Sequence, residues 1–283
     1  MQIKISVCII IKNESENLKR LLPRLSFADE IVIVDSGSTD DSLEIAKTFQ
    51  AKIFHREFDN YTNQKNHAKS LSRNEWVLAL DADEIPSSEL VEEIKLLTYD
   101  TIANVSGFSI PRKALYLGQW IKHSGWYPNR QIRLFQKSKG KFSGLYVHEK
   151  VQLEGNLGKL KNDLEHYTYK SISHHLQFID KYSTLFALEK IKKGKRNGIF
   201  TALWRGAWKF FWMYVIRFGF LDGKAGVVIA TLGMYYNFLK YLKVYEFSKN
   251  PKLLSSFFVV VDPVHDGKSE IATQKHGDQV HVG

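Results

Sequence analysis

Residues 74–86 read "NEWVLALDADEIP", an apolar run that ends in three acids. Val77 to Leu80 suit a buried strand, and Asp81, Asp83 and Glu84 follow at once. Like charges repel, so the cluster needs a positive charge to hold it. Side chains two apart in an extended segment share a face, which points Asp81 and Asp83 the same way and turns Ala82 aside. Two carboxylates at that spacing suit Mg2+ or Mn2+, hard cations that prefer oxygen ligands and keep waters or phosphates in their shell. The plain alternative is an acidic surface loop, because Asp-x-Asp alone is common. The strand in front of it favours a site.

The residues before this stretch repeat one pattern. Four runs, 3–11 (IKISVCIII), 30–35 (EIVIVD), 51–55 (AKIFH) and 75–80 (EWVLAL), read as buried strands, the third weakly. After the first, Asn13 with Glu16 has the spacing of a capping box, and Leu18, Leu21, Leu22 and Leu25 recur at helical spacing. A Gly-bearing turn and a second helix follow Asp35, and 61–71 reads as a third. Strands separated by helices imply βαβ units, an α/β fold with a mostly parallel central sheet. Right-handed crossovers gather the residues that follow the strands along one edge, where open α/β folds bind ligands. Asn13, Glu14, Asp35, Asp81 and Asp83 are therefore expected to face one cleft. In 61–71 the spacing sets Lys65 on the face of Tyr61 and Ala68, turned toward the sheet. A substrate phosphate, Asp35 or Asp81 would satisfy it there; otherwise it snorkels to solvent.

With 283 residues, 44% of them hydrophobic, the chain has material for one large domain with an appendage. Cys8 is the single cysteine, which rules out an intramolecular disulfide, fits a reducing compartment and reads as a small buried hydrophobe. The first residues lack a basic leader and a cleavage site, so a cytoplasmic location is expected. A net charge of +10 calls for a polyanionic partner: nucleic acid, acidic phospholipid or a phosphorylated substrate.

The stretches "SVCIIIKNESENL", "IVIVDSGSTDDS", "NQKNHAKS" and "WVLALDADE", in that order, resemble the family 2 glycosyltransferases of the GT-A (Rossmann-like, nucleotide-binding) fold. Residues 116–151 and "LEHYTY" (164–169) resemble a subgroup related to lipopolysaccharide-core β-1,4-glucosyltransferases. The resemblance implies an inverting transfer of glucose or another hexose from a UDP-sugar. It implies that Asp35 contacts the nucleoside, that Lys65 and Asp81 belong to the nucleotide-sugar site with Asn13 and Glu14, and that Asp83 foremost, with Asp81, binds the metal bridging the diphosphate.

Inversion also needs a carboxylate to take the proton of the attacking hydroxyl. In this family the base follows the metal motif by several tens of residues, and Glu149 in "SGLYVHEKV" (143–151) fits, although His-Glu replaces the usual two acids. Pairing of Glu149 with Lys150 or Arg133 is the structural alternative. His148 and His166 are candidates for metal or phosphate contact. In "GWYPNRQIRLF" (125–135), Trp126 and Tyr127 suit a sugar ring, while Arg130 and Arg133 suit phosphates on the acceptor. Ordinary packing of Trp126 is the alternative.

Residues 174–193 have helical periodicity, and from Lys190 to Lys243 eleven Lys or Arg face one acid, Asp222, among many aromatics. The apolar runs there are interrupted or too short to span a bilayer and are expected to lie along an anionic membrane surface as two helices turning at 219–223. Packing on the catalytic domain with a merely solvated basic face is the alternative. No recognition motif supports a nucleic-acid partner. The organisation expected is a catalytic domain over 1–170, with a donor half (1–95) and an acceptor half (96–170), a membrane-associating helical region over 171–250, and a tail over 251–283. The activity expected is a metal-dependent inverting hexosyltransferase, peripheral to the cytoplasmic side of the inner membrane, acting on a lipopolysaccharide-core or lipid-linked saccharide. A polyprenyl-phosphate sugar transferase and a non-catalytic membrane module of the same fold are the alternatives.

Overall fold

The computed structural model describes residues 1–144, 149–169, 171–196 and 198–250. His148 and the expected tail over 251–283 lie outside the described residues.

The first half alternates as its sequence pattern requires: β1 (Ile5–Ile11), α1 (Ser15–Leu21), β2 (Glu30–Asp35), α2 (Ser42–Thr48), β3 (Lys52–His55), α3 (Tyr61–Ser70) and β4 (Trp76–Asp81). β1 pairs in parallel with both β2 and β4, and β3 pairs in parallel with β2. The alternation of strand side chains divides the core in two. Val7, Ile9, Ile33, Leu78 and Leu80 pack on one face with Leu18 and Leu21 of α1. Cys8, Val32, Val34, Val77 and Ala79 pack on the other with Ala68 of α3. Burial accordingly pushes the Cys8 thiol up to about 12.

Parallel register brings the strand ends together. Ile10 pairs with Asp81 and Ile11 with Asp35, so the two aspartates flank the end of β1 at one sheet edge. The capping box is not formed. Helix α1 starts one residue after Glu14, which makes no side-chain cap. Asn13 takes a left-handed φ of 56°, tolerable for asparagine, and its Oδ1 accepts from the Thr39 N–H at 2.7 Å.

Beyond β4 come β5 (Glu84–Pro86), α4 (Ser88–Lys95), β6 (Gly107–Ile110), β7 (Arg112–Tyr116), β8 (Gln119–Trp120), β9 (Gln131–Gln136), β10 (Gly140–Ser143), β11 (Lys150–Leu153), β12 (Leu157–Lys159) and β13 (Leu164–His166). The main sheet has the order β12-β6-β9-β4-β1-β2-β3, with β9 antiparallel to its neighbours β4 and β6. A second sheet, β5-β13-β7-β8, crosses the site edge and pairs Glu84 with His166. β9 carries a bulge. Phe108 pairs with Leu134 but Ser109 with Ile132, which leaves Arg133 without a register partner. Ile132 and Phe135, an odd number of residues apart, consequently share the α3 side of the sheet, and the extra residue is free to be aimed elsewhere.

The remaining chain is helical: α5 (Ile172–Lys192), α6 (Ile199–Phe211), a π-helical turn at Trp212–Ile216, a short 3-10 turn at Gly219–Asp222, and α7 (Gly223–Lys249). The expected turn at 219–223 is present, and α7 lies against both α5 and α6. A Cβ on Gly226 would stand 1.8 Å from the Gly219 carbonyl oxygen, so that turn closes only over glycine. Asp222 fastens the turn to the sheet domain: its carboxylate accepts from the N–H groups of Lys122 and His123 and from Ser124 Oγ. Among the described residues no helix is long and apolar enough to cross a membrane.

Candidate active site

The acids of 81–84 do not share one cation. The chain turns at Ala82–Asp83 between β4 and β5, so the extended-segment expectation of a common direction for Asp81 and Asp83 does not hold. The cause is tertiary: β5 must bend away to pair with β13. Asp81 and Glu84 share Arg133, and Asp83 stands apart with His166. Lys65 Nζ lies 2.6 Å from Asp81 Oδ1 and 3.0 Å from Glu149 Oε1. Arg133 Nη2 lies 2.6 Å from Asp81 Oδ2 and 2.7 Å from Glu84 Oε1. Arg112 Nη1 reaches the same Glu84 oxygen at 2.8 Å. Asp83 Oδ2 faces His166 Nε2 at 3.2 Å, held in place by the Tyr167 N–H donating to the Asp83 carbonyl.

Burial would raise the Asp81 and Glu84 pKa values, but the cations outweigh it. Lys65 and Arg133 hold the Asp81 carboxyl well below the usual range, and Arg133 and Arg112 hold Glu84 down against both burial and the neighbouring Asp81. Lys65 is 7% exposed, and Asp81 and Glu149 keep it charged against the cost of burial and the repulsion of Arg133. Three carboxylates, Asp81, Glu84 and Glu149, thus meet three permanent cations, and Asp83 is the acid of the cluster that no Lys or Arg reaches among the described residues. Its side chain is also 32% exposed.

This distribution bears on a divalent cation. Both Asp81 oxygens are in ion pairs, with Lys65 and Arg133, so a divalent cation there would have to displace or share those partners. Among the described residues no cluster of three or more metal-ligating side chains occurs. Asp83 and His166 together present oxygen and nitrogen donors at the cleft, a partial shell that fits a hard cation completed by water and substrate phosphate.

On the nucleotide side, Asp35 is buried and spends its carboxylate on its own turn, accepting from the Gly37 and Ser38 N–H groups and from Ser38 Oγ at 2.6 Å. Asn13 supports the next residue of that loop. Glu14 lines a cleft of about 110 Å3 with Lys12, Ser36, Phe58 and Tyr61. The two rings meet edge to face with centroids 5.0 Å apart, a surface suited to a flat base.

The four acceptor candidates fare differently. Arg133 is buried and paired with Asp81 and Glu84, while Lys65 is the cation within ion-pair distance of Glu149 among the described residues. Arg130 donates to the carbonyl oxygens of Ser109 and Leu160, and Tyr127 donates to Asp163 at 3.0 Å. Trp126 packs on Tyr116 and Tyr169, yet still lines open space. Sequence reasoning missed the structural part of Glu84 and Arg112. The signal was available: three acids close together need cations, and a strand run such as "RKALY" (112–116) that opens on an arginine offers one.

Comparison with known proteins agrees with this architecture. The model for "Glycosyl transferase family 2" matches residues 6–153. An uncharacterized glycosyltransferase of Rickettsia typhi is 30% identical over 256 residues, covering 87% of this chain and 88% of that protein. The lipopolysaccharide core biosynthesis glycosyltransferase LpsC of Rhizobium meliloti is 26% identical over 255 residues, covering 87% and 93%. The crystal structure of residues 1–349 of S. aureus TarS aligns over 88% of this chain and 92% of that one, at 16% identity and a TM-score of 0.46. On the match of the family model and the length of the relatives covered, the chain belongs to glycosyl transferase family 2.

Proposed function

We propose that the protein transfers glucose or another hexose, with inversion, from a UDP-sugar to a hydroxyl of a lipopolysaccharide-core or other lipid-linked saccharide. The observation that carries the reading is the unequal pairing of the acids. Among the described residues Asp83, beside His166, is left without a permanent cation, while Asp81 and Glu84 are each held by two and Glu149 by one. The name of the Rhizobium relative supports a lipopolysaccharide-core product.

On this reading the base lies against Phe58 and Tyr61 and the diphosphate lies toward Asp83. Asp35 and Asn13 hold the loop that contacts the nucleoside. Asp83 and His166 would hold Mg2+ or Mn2+, which when bound offsets negative charge growing on the leaving diphosphate. Glu149 accepts the proton as the acceptor oxygen bonds to the anomeric carbon. The bond from that carbon to the β-phosphate oxygen breaks, and UDP leaves with its electron pair. Lys65 holds Glu149 in place, tying the base to the strand that ends in Asp81.

The protein is also proposed to work as a peripheral protein on the cytoplasmic face of the inner membrane. Along α6 and the turn after it, Phe200 (87% exposed), Trp204 (70%), Trp208, Phe211, Val215 and Phe218 form one outward apolar stripe. A patch of this kind marks an interaction surface, and the flanking exposed Arg205, Arg217 and Lys224 complement anionic headgroups.

The test is UDP release from a panel of UDP-sugars with Mn2+, Mg2+ or chelator, comparing wild type with Asp83→Ala, and with UDP binding read by calorimetry. Cation-dependent release lost in the variant supports the assignment. Neither release nor binding with any UDP-sugar sinks it.

A further inference from the structure

The helical region and the segment around Trp126 enclose a cavity of about 480 Å3 that the chemistry above does not use. Lys209 of α6 and Lys240 of α7 line it, and among the described lining residues there is no carboxylate. Aromatic rings make up much of the wall, Trp126, Tyr169, Trp212 and Tyr236 among them. Lys209 Nζ sits 4.3 Å from the Trp212 ring centre and Lys240 Nζ 4.9 Å from that of Tyr236, so both ammonium groups are held against ring faces. Partial burial and neighbouring cations, Arg217 for one and Lys209, Lys190 and Arg205 for the other, hold both lysines below their ordinary value. Asp222, the acid nearest Lys209 in sequence, already serves the turn at 122–124, and Glu246, the acid nearest Lys240, is not among the residues that line the cavity. Two half-buried cations on one cavity, with no carboxylate among its described lining residues, weaken the fold, and a bound anion is the group that would relieve them.

Position narrows the choice of anion. Gly125, Trp126 and Tyr169 also line a smaller cavity of about 210 Å3 that contains Arg112 and His166, the partner of Asp83. A molecule held at the lysines therefore has a continuous wall leading to the reaction centre. Helix α6 presents Lys209 to this cavity and Trp204 and Trp208 to the outside. The pocket thus lies behind the surface proposed to meet lipid. A phosphate monoester, which carries up to about two negative charges, matches two point-like ammonium groups, and the aromatic wall suits the group it is attached to.

We infer that this cavity anchors a phosphate ester on an amphiphilic molecule, with Lys209 and Lys240 on the phosphate and Trp126 and Tyr169 guiding the attached group toward Asp83. The inference rests on the lipid-linked acceptor proposed above and specifies which part of that acceptor the enzyme grips.

The test is calorimetric titration of the purified full chain with octyl phosphate, octyl glucoside and inorganic phosphate, each below any micelle concentration. Octyl phosphate is expected to bind once per chain, at least tenfold tighter than octyl glucoside, which has the tail without the charge. Lys209→Gln with Lys240→Gln should weaken it at least tenfold, and Lys209→Arg with Lys240→Arg should restore most of the affinity. The thermal midpoint of the glutamine variant, expected at or above that of wild type, checks that it is folded. Competition between octyl phosphate and phosphatidylglycerol vesicles would assign the site to a bilayer headgroup, and its absence to the acceptor's own phosphate; either keeps the phosphate-ester assignment. Equal affinity for octyl phosphate and octyl glucoside, or an unchanged glutamine variant, overturns it. Sugar transfer onto octyl phosphate itself would make the phosphate the acceptor and overturn the anchoring role. UDP binding by wild type in the same samples reports the donor site separately, so failure there leaves this inference standing.

Discussion

Lys65 Nζ stands 3.0 Å from Glu149 Oε1, although 84 residues separate them in sequence. The same ammonium group is 2.6 Å from Asp81 Oδ1. One buried lysine thus joins the end of β4 to the residue proposed as general base, and removing it strands Glu149 and leaves Asp81 with Arg133 alone. Lys65→Met is expected to cost about 3–5 kcal/mol of stability and to lower kcat by at least tenfold. Lys65→Arg should recover stability better than activity. Urea unfolding and turnover measured on the same preparations check both.

Arg133 makes a sharper case, because its sequence context suggested acceptor binding and its geometry gives a buried clamp. Arg133→Met should destabilise by about 3–5 kcal/mol, since Glu84 is fully buried and would keep only Arg112. A variant that stays as stable as wild type but shows a raised KM for the acceptor would restore the earlier expectation.

Asp81 and Asp83 should separate in kind. Asp83→Asn touches a partly exposed carboxylate with no Lys or Arg partner, so its stability should stay within about 0.5 kcal/mol of wild type while transfer is lost. Asp81→Asn leaves Lys65 and Arg133 undercompensated and should lower the unfolding midpoint. Thermal melts of the two variants side by side decide the matter.

The strand and helix order was legible because apolar periodicity and its breaks are local properties, and so was the gathering of Asp35 and Asp81 at one edge, which follows from parallel register. Of what holds the acids, Lys65 against Asp81 was among the expectations, and the rest was not. His166 reaches Asp83 through the pairing of β13 with β5, and Arg133 reaches Asp81 from the bulged position of β9. A bulge is one residue of register, invisible to a period-two pattern. The sequence demanded cations for the cluster; which arginines answered was decided by contacts 28 to 52 residues apart.

His175 offers a pH test away from the acids. It is buried, stacked on Tyr169 with ring centres 4.0 Å apart and 2.9 Å from Tyr116 Oη. Burial, and secondarily His174, pushes its pKa from 6.5 down to about 4. The neutral form is the folded one, so its contribution is complete above 6.5 and is lost as pH falls from there to about 4. The loss is up to about 3 kcal/mol. His175→Gln should flatten that part of the stability profile; an unchanged slope in chemical denaturation at pH 7, 6 and 5 would count against it.

The outward stripe of α6 predicts membrane affinity. Trp204→Ser with Trp208→Ser should reduce partition to phosphatidylglycerol vesicles at least tenfold, with the thermal midpoint held, because both rings are exposed in the free protein. Cosedimentation at two salt concentrations checks it, and undiminished binding would remove α6 as the contact surface.

The most direct measurement is Mn2+ binding in the presence of UDP, read from the loss of the free-ion electron paramagnetic resonance signal in wild type, Asp83→Asn, His166→Asn and Asp81→Asn. One Mn2+ per chain, abolished by Asp83→Asn, weakened by His166→Asn and least affected by Asp81→Asn, is the expected result. Binding that survives Asp83→Asn, or depends first on Asp81, would contradict the division of labour among these acids.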